Sequence, residues 1–435
     1  MKLTIHRGTH EIGGNCVELC TESTRIIVDV GMPLVDKNGE SFDASSLEGR
    51  SKDELLADGT LPPVPGLFDS GPSPDAILLS HAHCDHTGLL KYTSQDIPVW
   101  LSPGTSDMMY VGLKFARQVG VGRVRQNKFT PGKPFQVGDF TITAHAVDHS
   151  AFDSMAFIIE ADDKRILYSG DLRLHGRKPG MGRDLIKAAS SAPIDVMLME
   201  GTHAGPSEKA RVTEVDLEER ILGHIQDSRS IVLACFSPLH VDRLVTFYKA
   251  ASRAGRTFLV DPYAALVMNK AAHYCKIPDP AIEKAIRVYY NTYFEASYEK
   301  KGLRYVHEMF IPNRIGMAEI LANPKDFLMI FRPGMIEPDF EGHLPQNARC
   351  IYSYWAGYLN KPEWVKLQES IKSVGGDFVK AHTSGHIIAE DLPGFVQGIK
   401  PGTLIPIHTF EPGWFSNLYS NVKLLGDGEV HKLTD

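Results

Sequence analysis

The sequence feature that most restricts the fold and chemistry of this chain is a run of metal-binding side chains. The run reads Ser80-His81-Ala82-His83-Cys84-Asp85-His86-Thr87-Gly88. It follows the apolar, strand-like segment Ala76–Leu79, so it predicts a loop at a strand end. His81 and His83 alternate and can face one ion, whereas Asp85 and His86 can turn to a second. Imidazole and carboxylate groups at this density favour zinc or manganese over calcium or magnesium. The alternative is a polar loop that is rich in histidine by chance.

This run resembles the HxHxDH signature of the metallo-β-lactamase superfamily. The resemblance implies further ligands downstream, and the sequence offers His149, Asp171 and His408, each after a candidate strand. It also implies that Asp29 is a structural aspartate beneath the metal loop. Cys84 occupies a variable position of the motif; its thiolate could bind a metal ion, but we expect it to support the ligands or to pack against its neighbours. A lone histidine or a Gly-Asp turn is usually structural, so these candidates gain weight from their order along the chain.

The resemblance implies two metal ions, which we expect to be Zn²⁺, with Mn²⁺ as the alternative. One ion would take His81, His83 and His149, the other would take Asp85, His86 and His408, and Asp171 would bridge them. Two such ions can hold a bridging hydroxide and clamp both the attacking and the leaving oxygen of an ester. Metal binding also lowers the pKa of water towards neutrality, which supplies a nucleophile without a side-chain base.

The organisation of the chain predicts an α/β fold interrupted by an insertion. Residues 1–205 read mainly as strands and turns, whereas residues 206–375 alternate strand and helix, as parallel βαβ units do. Residues 376–435 return to strand, helix and strand. The resemblance implies a metallo-β-lactamase αββα sandwich formed by the first and last segments, with the middle segment as an inserted β-CASP domain.

Three residues resemble motifs A, B and C of the β-CASP subgroup, which acts on nucleic acids and includes ribonuclease J. They are Glu200 after strand Val196–Met199, His386, and His408. We expect His386 to act as general acid, Glu200 to orient it, and Asp85 to serve in catalysis as a metal ligand. The alternatives are a capping or core histidine at His386 and a strand-end carboxylate bonded to a loop at Glu200.

Three further residues are candidates for binding a substrate phosphate. Ser384 offers a hydroxyl group and Gly385 a backbone N–H, although a plain turn explains this pair equally well. Ser237 precedes a predicted helix over residues 239–251 and could bind a phosphate at its positive end, or simply act as its N-cap.

Basic and aromatic side chains supply weaker candidates for contacts with a polyanion. The candidates are the basic residues Lys114, Arg117, Arg123, Arg125 and Lys128, a second cluster of Arg165, Arg173, Arg177, Lys178 and Arg183, and the aromatic residues Tyr352, Tyr354 and Trp355. The basic groups could contact backbone phosphates, or form a solvated face. The aromatic rings could stack on bases, although core packing is the alternative.

The composition restricts the classes of binding partner and the cellular compartment that we expect for this protein. Net charge is 46 − 53 = −7, which argues against coating long duplex nucleic acid. Six scattered cysteines, no signal-peptide pattern and no membrane-length apolar run predict a cytoplasmic protein with no membrane partner.

We therefore expect a dinuclear-metal phosphodiesterase that cleaves single-stranded RNA, as an exonuclease or an endonuclease. DNA is a possible alternative substrate. A homodimer is a possible oligomeric state. One alternative function is a metallo-hydrolase of a small ester or lactone. Another is a metal-free scaffold subunit, against which the full ligand set argues.

Overall fold

The computed structural model of the protein describes residues 1–35, 40–206 and 211–433. It forms two compact units, the first from residues 1–211 and 385–435 and the second from residues 212–384. Residues 207–210, beside the predicted boundary at residue 206, and residues 434–435 lie outside the described part. The domain boundaries proposed from the sequence stay predictions.

Helices and strands follow one another in three stretches. Residues 1–206 contain strands β1 (Lys2–Arg7), β2 (Cys16–Cys20), β3 (Arg25–Val28), β4 (Ala76–Leu78), β5 (Val99–Leu101), β6 (Gln126–Lys128), β7 (Pro134–Val137), β8 (Phe140–Ala146), β9 (Met155–Ala161), β10 (Lys164–Tyr168) and β11 (Val196–Glu200), with helices α1 (Lys52–Ala57), α2 (Cys84–Thr87), α3 (Pro103–Phe115) and α4 (Gly180–Ala189). Residues 211–384 contain strands β12 (Val232–Cys235), β13 (Thr257–Val260), β14 (Ile286–Tyr289), β15 (Arg314–Ile315), β16 (Phe327–Ile330), β17 (Arg349–Tyr352) and β18 (Asp377–Lys380), with helices α5 (Glu214–Gln226), α6 (Val241–Arg253), α7 (Pro262–Ala272), α8 (Thr292–Ser297), α9 (Arg304–Phe310), α10 (Met317–Ala322), α11 (Ile336–Phe340) and α12 (Pro362–Ser373). Residues 385–433 contain α13 (Leu392–Ile399), β19 (Thr403–Ile407) and β20 (Val430–Lys432).

Two sheets build the first unit. Among the described residues, one sheet has the order β20-β1-β2-β3-β4-β5-β6 and the other the order β19-β11-β10-β9-β8-β7. In the second of these sheets, β10, β11 and β19 run parallel, and Glu200 at the end of β11 pairs with Ile407 at the end of β19. The carboxyl ends of these three strands therefore meet at one edge, the usual place for ligand sites in α/β proteins.

The two sheets share a hydrophobic core, and helices cover the opposite face of the second sheet. Ile5 and Val28 from one sheet join Phe157 and Ile166 from the other in one buried cluster. A second cluster packs α4 and α13 against β9, β10 and β11. Strand β8 shows why these segments form strands, because its residues alternate between buried and half-buried over residues 140–145. These layers confirm the predicted α/β class.

The second unit has its own parallel sheet. For the residues that the structure describes, the strand order is β15-β14-β13-β16-β12-β17-β18. Each pair of adjacent strands in this sheet is parallel. The inner strands are continuous apolar runs such as the fully buried Phe327–Ile330, as expected for a sheet covered on both faces. Arg349 of β17 lies opposite Asp377 of β18, so residues 377–380 belong to this sheet.

The start of one helix in the second unit differs from the expectation. Helix α6 begins at Val241 and has His240 at its N-cap, two residues later than the sequence predicted. Ser237 therefore does not cap this helix, and its carbonyl oxygen accepts a hydrogen bond from the His240 N–H at 3.0 Å. The reason is the turn that residues 237–240 form before the helix begins. A phosphate contact at Ser237 stays a prediction, but without the helix terminus as its basis.

No helix within the described ranges combines the length and the hydropathy needed to cross a lipid bilayer.

Candidate metal centre

The predicted metal loop follows β4 and is fixed by its own backbone. The carbonyl oxygens of Cys84, Asp85 and His86 accept hydrogen bonds from the N–H groups of residues 32, 15 and 30, at 3.0, 3.2 and 2.8 Å. A Cβ atom on Gly31 would lie 1.7 Å from the Asp85 carbonyl oxygen. Glycine at position 31 therefore allows the loop to pack directly on the neighbouring backbone.

Asp171 lies at the centre of a group of histidines. Its Oδ2 atom is 3.1 Å from His86 Nε2, 3.7 Å from both His81 Nε2 and His408 Nε2, and 3.8 Å from His149 Nε2. Three separate loops and the end of β19 supply these side chains. The structure thus brings together the downstream candidates and the metal loop.

The remaining predicted ligands join the same cluster. His83 Nδ1 lies 3.2 Å from His149 Nε2, and Asp85 Oδ2 lies 3.8 Å from the Nε2 atoms of both His86 and His408. The donor atoms form three overlapping groups, each with its members within 4.8 Å of one another. These groups are His81, His83 and His149, then Asp85, His86, Asp171 and His408, and then His149, Asp171 and His386.

The chemistry of these donors fits divalent cations. Within the described part of the chain, His81 Nε2, His408 Nε2 and Asp171 Oδ1 are buried and have no hydrogen-bond partner. Buried polar atoms are rarely left in this state without a ligand. Burial lowers the pKa of His81 and His149 well below the usual range, so both rings are neutral, as metal ligands must be.

Negative charge around His86 points in the same direction. Burial lowers the pKa of His86, but the carboxylates of Asp171, Asp29 and Asp85 outweigh burial and raise it well above its usual range. A cluster of carboxylates that stabilises a proton on a buried ring also stabilises a metal cation in its place.

Asp29 orients His86 from behind. Its Oδ2 atom accepts hydrogen bonds from His86 Nδ1, Ser80 Oγ and the Tyr168 hydroxyl, each at 2.7 Å, and its Oδ1 atom accepts one from the Ser80 N–H at 2.8 Å. The Asp29 backbone has φ 60°, a left-handed conformation in which aspartate is among the more tolerated residues. Fixing Nδ1 in this way turns His86 Nε2 towards the cluster.

Two more ligand candidates are held by their second ring nitrogens. His149 Nδ1 donates to the carbonyl oxygen of Gly385 at 2.5 Å, and His408 Nδ1 lies 3.0 Å from Asn15 Oδ1. A Cβ atom at position 385 would lie 2.3 Å from Ser150 Oγ, so glycine is required there. The Gly385 carbonyl thus orients His149, whereas a phosphate contact from its N–H stays a prediction.

His386 and Glu200 form a pair beside Asp171. His386 Nδ1 lies 3.3 Å from Glu200 Oε1, 3.0 Å from Thr202 Oγ1 and 3.7 Å from Asp171 Oδ2. Burial lowers the pKa of His386, but Glu200 and Asp171 outweigh it and raise the pKa to about 9. The carboxylate of Glu200 is fully buried and is fixed by the backbone N–H groups of Leu172 and Thr202, at 3.0 and 3.2 Å.

Two arginines of the second basic cluster form hydrogen bonds within the fold. Arg173 is fully buried, and its Nε atom donates to Asp148 Oδ1 at 2.8 Å. Arg165 donates to the carbonyl oxygens of Ala189 and Ala192 at 2.8 and 2.6 Å. The interpretation of Arg173 as a phosphate contact is therefore wrong, because its guanidinium group is buried inside the protein. For the half-buried Arg165 a phosphate contact stays a prediction.

Only part of the first basic cluster faces solvent. Arg125 is buried and donates to the Ile97 carbonyl oxygen and Thr93 Oγ1, whereas Arg117 and Arg123 are exposed.

The twelve predicted site residues fall into the two units unequally. His81, His83, Asp85, His86, His149, Asp171, Glu200, Gly385, His386 and His408 belong to the first unit, whereas Ser237 and Ser384 belong to the second. Sequence reasoning missed Thr202, Asn15 and Asp148. Thr202 follows Glu200 by two residues, and Asp148 directly precedes His149. Proximity in sequence to a predicted site residue could therefore have indicated these two residues.

Comparisons with known proteins show similarity to one domain family and to two named ribonucleases. A sequence profile described as "Beta-lactamase superfamily domain" matches residues 46–233. The chain is 28% identical over 432 residues to Ribonuclease J of Helicobacter pylori (strain B128), covering 94% of this chain and 56% of that protein. It is 27% identical over 274 residues to Ribonuclease J of Mycobacterium tuberculosis (strain ATCC 25618 / H37Rv), covering 59% of this chain and 43% of that protein.

A solved structure also resembles the whole chain. It is titled "Crystal Structure of a Protein of Unknown Function from Enterococcus faecalis V583", with a TM-score of 0.79 and 22% identity over 99% of both chains. This likeness concerns the fold alone. The chain spans about half the length of the two ribonucleases, 43% and 56%. The metal loop and the sequence matches together show that the chain is similar to the beta-lactamase superfamily domain and to ribonuclease J.

Proposed function

We propose that the protein is a dinuclear-metal phosphodiesterase that cleaves single-stranded RNA. The observation that carries this proposal is the position of Asp171 Oδ2, within 3.8 Å of ring nitrogens of His81, His86, His149 and His408. The adjacent His386–Glu200 pair adds a proton donor to this cluster. The printed names of the similar ribonucleases support RNA as the substrate.

The ligand set that we propose assigns each donor to one of two ions. His81, His83 and His149 would hold one ion, Asp85, His86 and His408 would hold the other, and Asp171 would be shared. Histidine and carboxylate donors suit Zn²⁺, and Mn²⁺ is the alternative. When bound, two such ions would activate a water molecule and neutralise charge on the phosphoryl oxygens.

The protein's own groups would supply the proton for the leaving oxygen. His386 Nδ1 faces Glu200, which leaves Nε2 as the nitrogen that can donate to the departing 3′-oxygen. The Glu200 carboxylate stabilises the protonated ring and is itself held by backbone N–H groups, so it cannot swing away. We place substrate-phosphate contacts at Ser384, Gly385 and Ser237 as part of the same proposal.

The test is an assay on purified protein with zinc or manganese and end-labelled single-stranded RNA. Substrates with a 5′-monophosphate or a 5′-hydroxyl, and matched DNA, run side by side. The control carries Asp85→Ala and His86→Ala. Metal-dependent RNA cleavage that the control lacks supports the proposal, and the product ladder distinguishes endonuclease from exonuclease action. A protein that holds two metals and cleaves no polynucleotide contradicts it and favours a small-ester hydrolase.

A further inference from the structure

An exposed aromatic pair follows strand β17 in the second unit. Trp355 is 64% exposed and Tyr358 is 37% exposed, and their ring centroids lie 5.4 Å apart at 86°. Tryptophan is usually among the most buried side chains on average. Trp364, on α12 of the same unit, follows this rule and is 8% exposed. The exposure of Trp355 therefore indicates a surface that meets something other than this chain.

The segment that carries the pair, residues 355–361, is called the aromatic turn. It is anchored to the core, because the buried Tyr352 donates its hydroxyl to the Trp355 carbonyl oxygen at 2.8 Å. The Tyr352 ring packs edge-on against Trp364, with ring centroids 4.9 Å apart. The Lys361 N–H donates to the Tyr358 carbonyl oxygen at 3.1 Å and closes the turn. The exposed rings are thus presented on a fixed backbone, which lowers the entropy lost on binding.

Glycine at position 357 allows the indole to lie against the turn. A Cβ atom there would come within 2.1 Å of the Trp355 ring. The indole therefore rests on the backbone of residue 357, and the rest of its surface stays accessible. A flat aromatic surface supported from below is the arrangement on which a planar ligand stacks.

The charge beside the rings indicates which planar ligand fits. Lys361 Nζ lies 4.7 Å from the centroid of the Tyr358 ring, and Lys361 is exposed. Stacking rings next to a cation match single-stranded nucleic acid, in which each unpaired base has a phosphate beside it. We propose that the aromatic turn binds unpaired bases of RNA through Trp355 and Tyr358, with Lys361 contacting the backbone. This inference rests on the proposed function and extends its substrate contacts.

The experiment measures RNA binding without cleavage. Metal-free protein in chelator is titrated with a short single-stranded RNA and with the same oligonucleotide carrying abasic positions. Trp355→Leu should weaken binding roughly tenfold and remove the preference for intact over abasic RNA. Trp355→Phe should retain most of the affinity, because a phenyl ring still stacks. RNA should also quench tryptophan fluorescence in the wild type and not in Trp355→Leu.

The matched control is Tyr305→Leu, which removes another exposed aromatic side chain (39% exposed) from the second unit. The proposal requires this variant to bind RNA like the wild type. Equal RNA affinity of the wild type and Trp355→Leu overturns the proposal. An equal loss of RNA affinity in Trp355→Leu and in the control variant also overturns it, and so does a Trp355→Leu variant in which only self-association changes. The wild type's cleavage of RNA is recorded separately with metal. If the wild type cleaves RNA and Trp355→Leu still binds RNA normally, only the proposal about the aromatic turn fails. If the wild type neither binds nor cleaves RNA, the proposed function and the proposal about the aromatic turn both fail.

Discussion

Arg173 Nε donates a hydrogen bond to Asp148 Oδ1 at 2.8 Å, and both side chains are buried. Asp148 directly precedes His149, and Arg173 follows Asp171 by two residues. The Arg173 N–H also donates to the Asp148 carbonyl oxygen at 2.7 Å. One ion pair therefore ties together the two loops that present two of the proposed metal ligands.

Removing the guanidinium group should destabilise the protein strongly. Arg173→Met leaves the Asp148 carboxylate buried without its charged partner, and we expect a loss of about 3–5 kcal/mol in the free energy of unfolding. Urea denaturation of metal-free protein measures it. The control is Arg304→Met, which breaks an exposed pair with Glu299 and should cost less than about 1 kcal/mol. Equal losses in the two variants would show that the buried pair does not hold these loops.

Gly385→Ala should disturb His149 and reduce metal binding. The new methyl group would lie 2.3 Å from Ser150 Oγ and 2.6 Å from Ser150 Cβ, so the loop that hydrogen-bonds His149 must shift. Metal content after dialysis measures the effect. Adding Ser150→Gly to the variant removes both contacts and should restore metal content. Gly413→Ala is the control, because a Cβ there meets nothing within 4 Å. Normal metal content in Gly385→Ala would contradict the prediction.

His386→Ala should slow RNA cleavage without loss of metal. A general acid typically contributes about 10²- to 10⁴-fold in rate, so we expect a loss of that order in single-turnover cleavage. Thr202→Val removes the hydroxyl that contacts His386 Nδ1 at 3.0 Å and should cause a smaller loss, which Thr202→Ser restores. If His386→Ala instead loses a bound ion, the side chain is a ligand, consistent with its grouping with His149 and Asp171.

Glu18 should make stability depend on pH in the acid range. Burial raises the pKa of Glu18, but hydrogen bonds from His6 and Arg25 outweigh burial and lower it to about 2. Because this folded-state pKa lies below the unfolded value of about 4.3, the stabilisation is present above that value and lost as the pH falls towards 2.

The matched experiment compares Glu18→Gln with the wild type in chelator. Since Glu18 is partly exposed, solvent screening reduces the expected difference near neutral pH to about 1 kcal/mol. The difference should shrink as the pH is lowered through about 4 to about 3, which denaturant unfolding at each pH measures. The exposed Glu22→Gln serves as control. A constant difference between wild type and Glu18→Gln at all pH values would argue against this account.

The sequence predicts those residues of the candidate metal centre that lie close together in the chain or directly follow a strand. His81, His83, Asp85 and His86 are contiguous, and Asp171, Glu200 and His408 follow strands that a pattern of apolar residues reveals. Because β10, β11 and β19 are parallel neighbours, the ends of these strands coincide. The roles of these residues stay predictions, although the structure gathers them at one place.

What the sequence could not reveal depends on loop conformation. Arg173 read as a surface cation, since nothing local indicates that Asp148 folds back onto it. Strand β3 ends at Val28, because Asp29 adopts a left-handed backbone that no local pattern predicts. The carbonyl of Gly385 that orients His149 comes from 236 positions further along the chain, a separation that no local pattern spans.

A metal titration coupled to cleavage is the sharpest test of a two-metal ribonuclease. Metal-free protein receives Zn²⁺ or Mn²⁺ in increments while the rate of RNA cleavage and the number of bound ions are measured together. We predict that two ions bind each chain, that cleavage rises as the second ion binds, and that Asp171→Ala binds fewer ions and does not cleave. Full cleavage by metal-free protein, or a chain that binds two ions and leaves RNA intact, would contradict it.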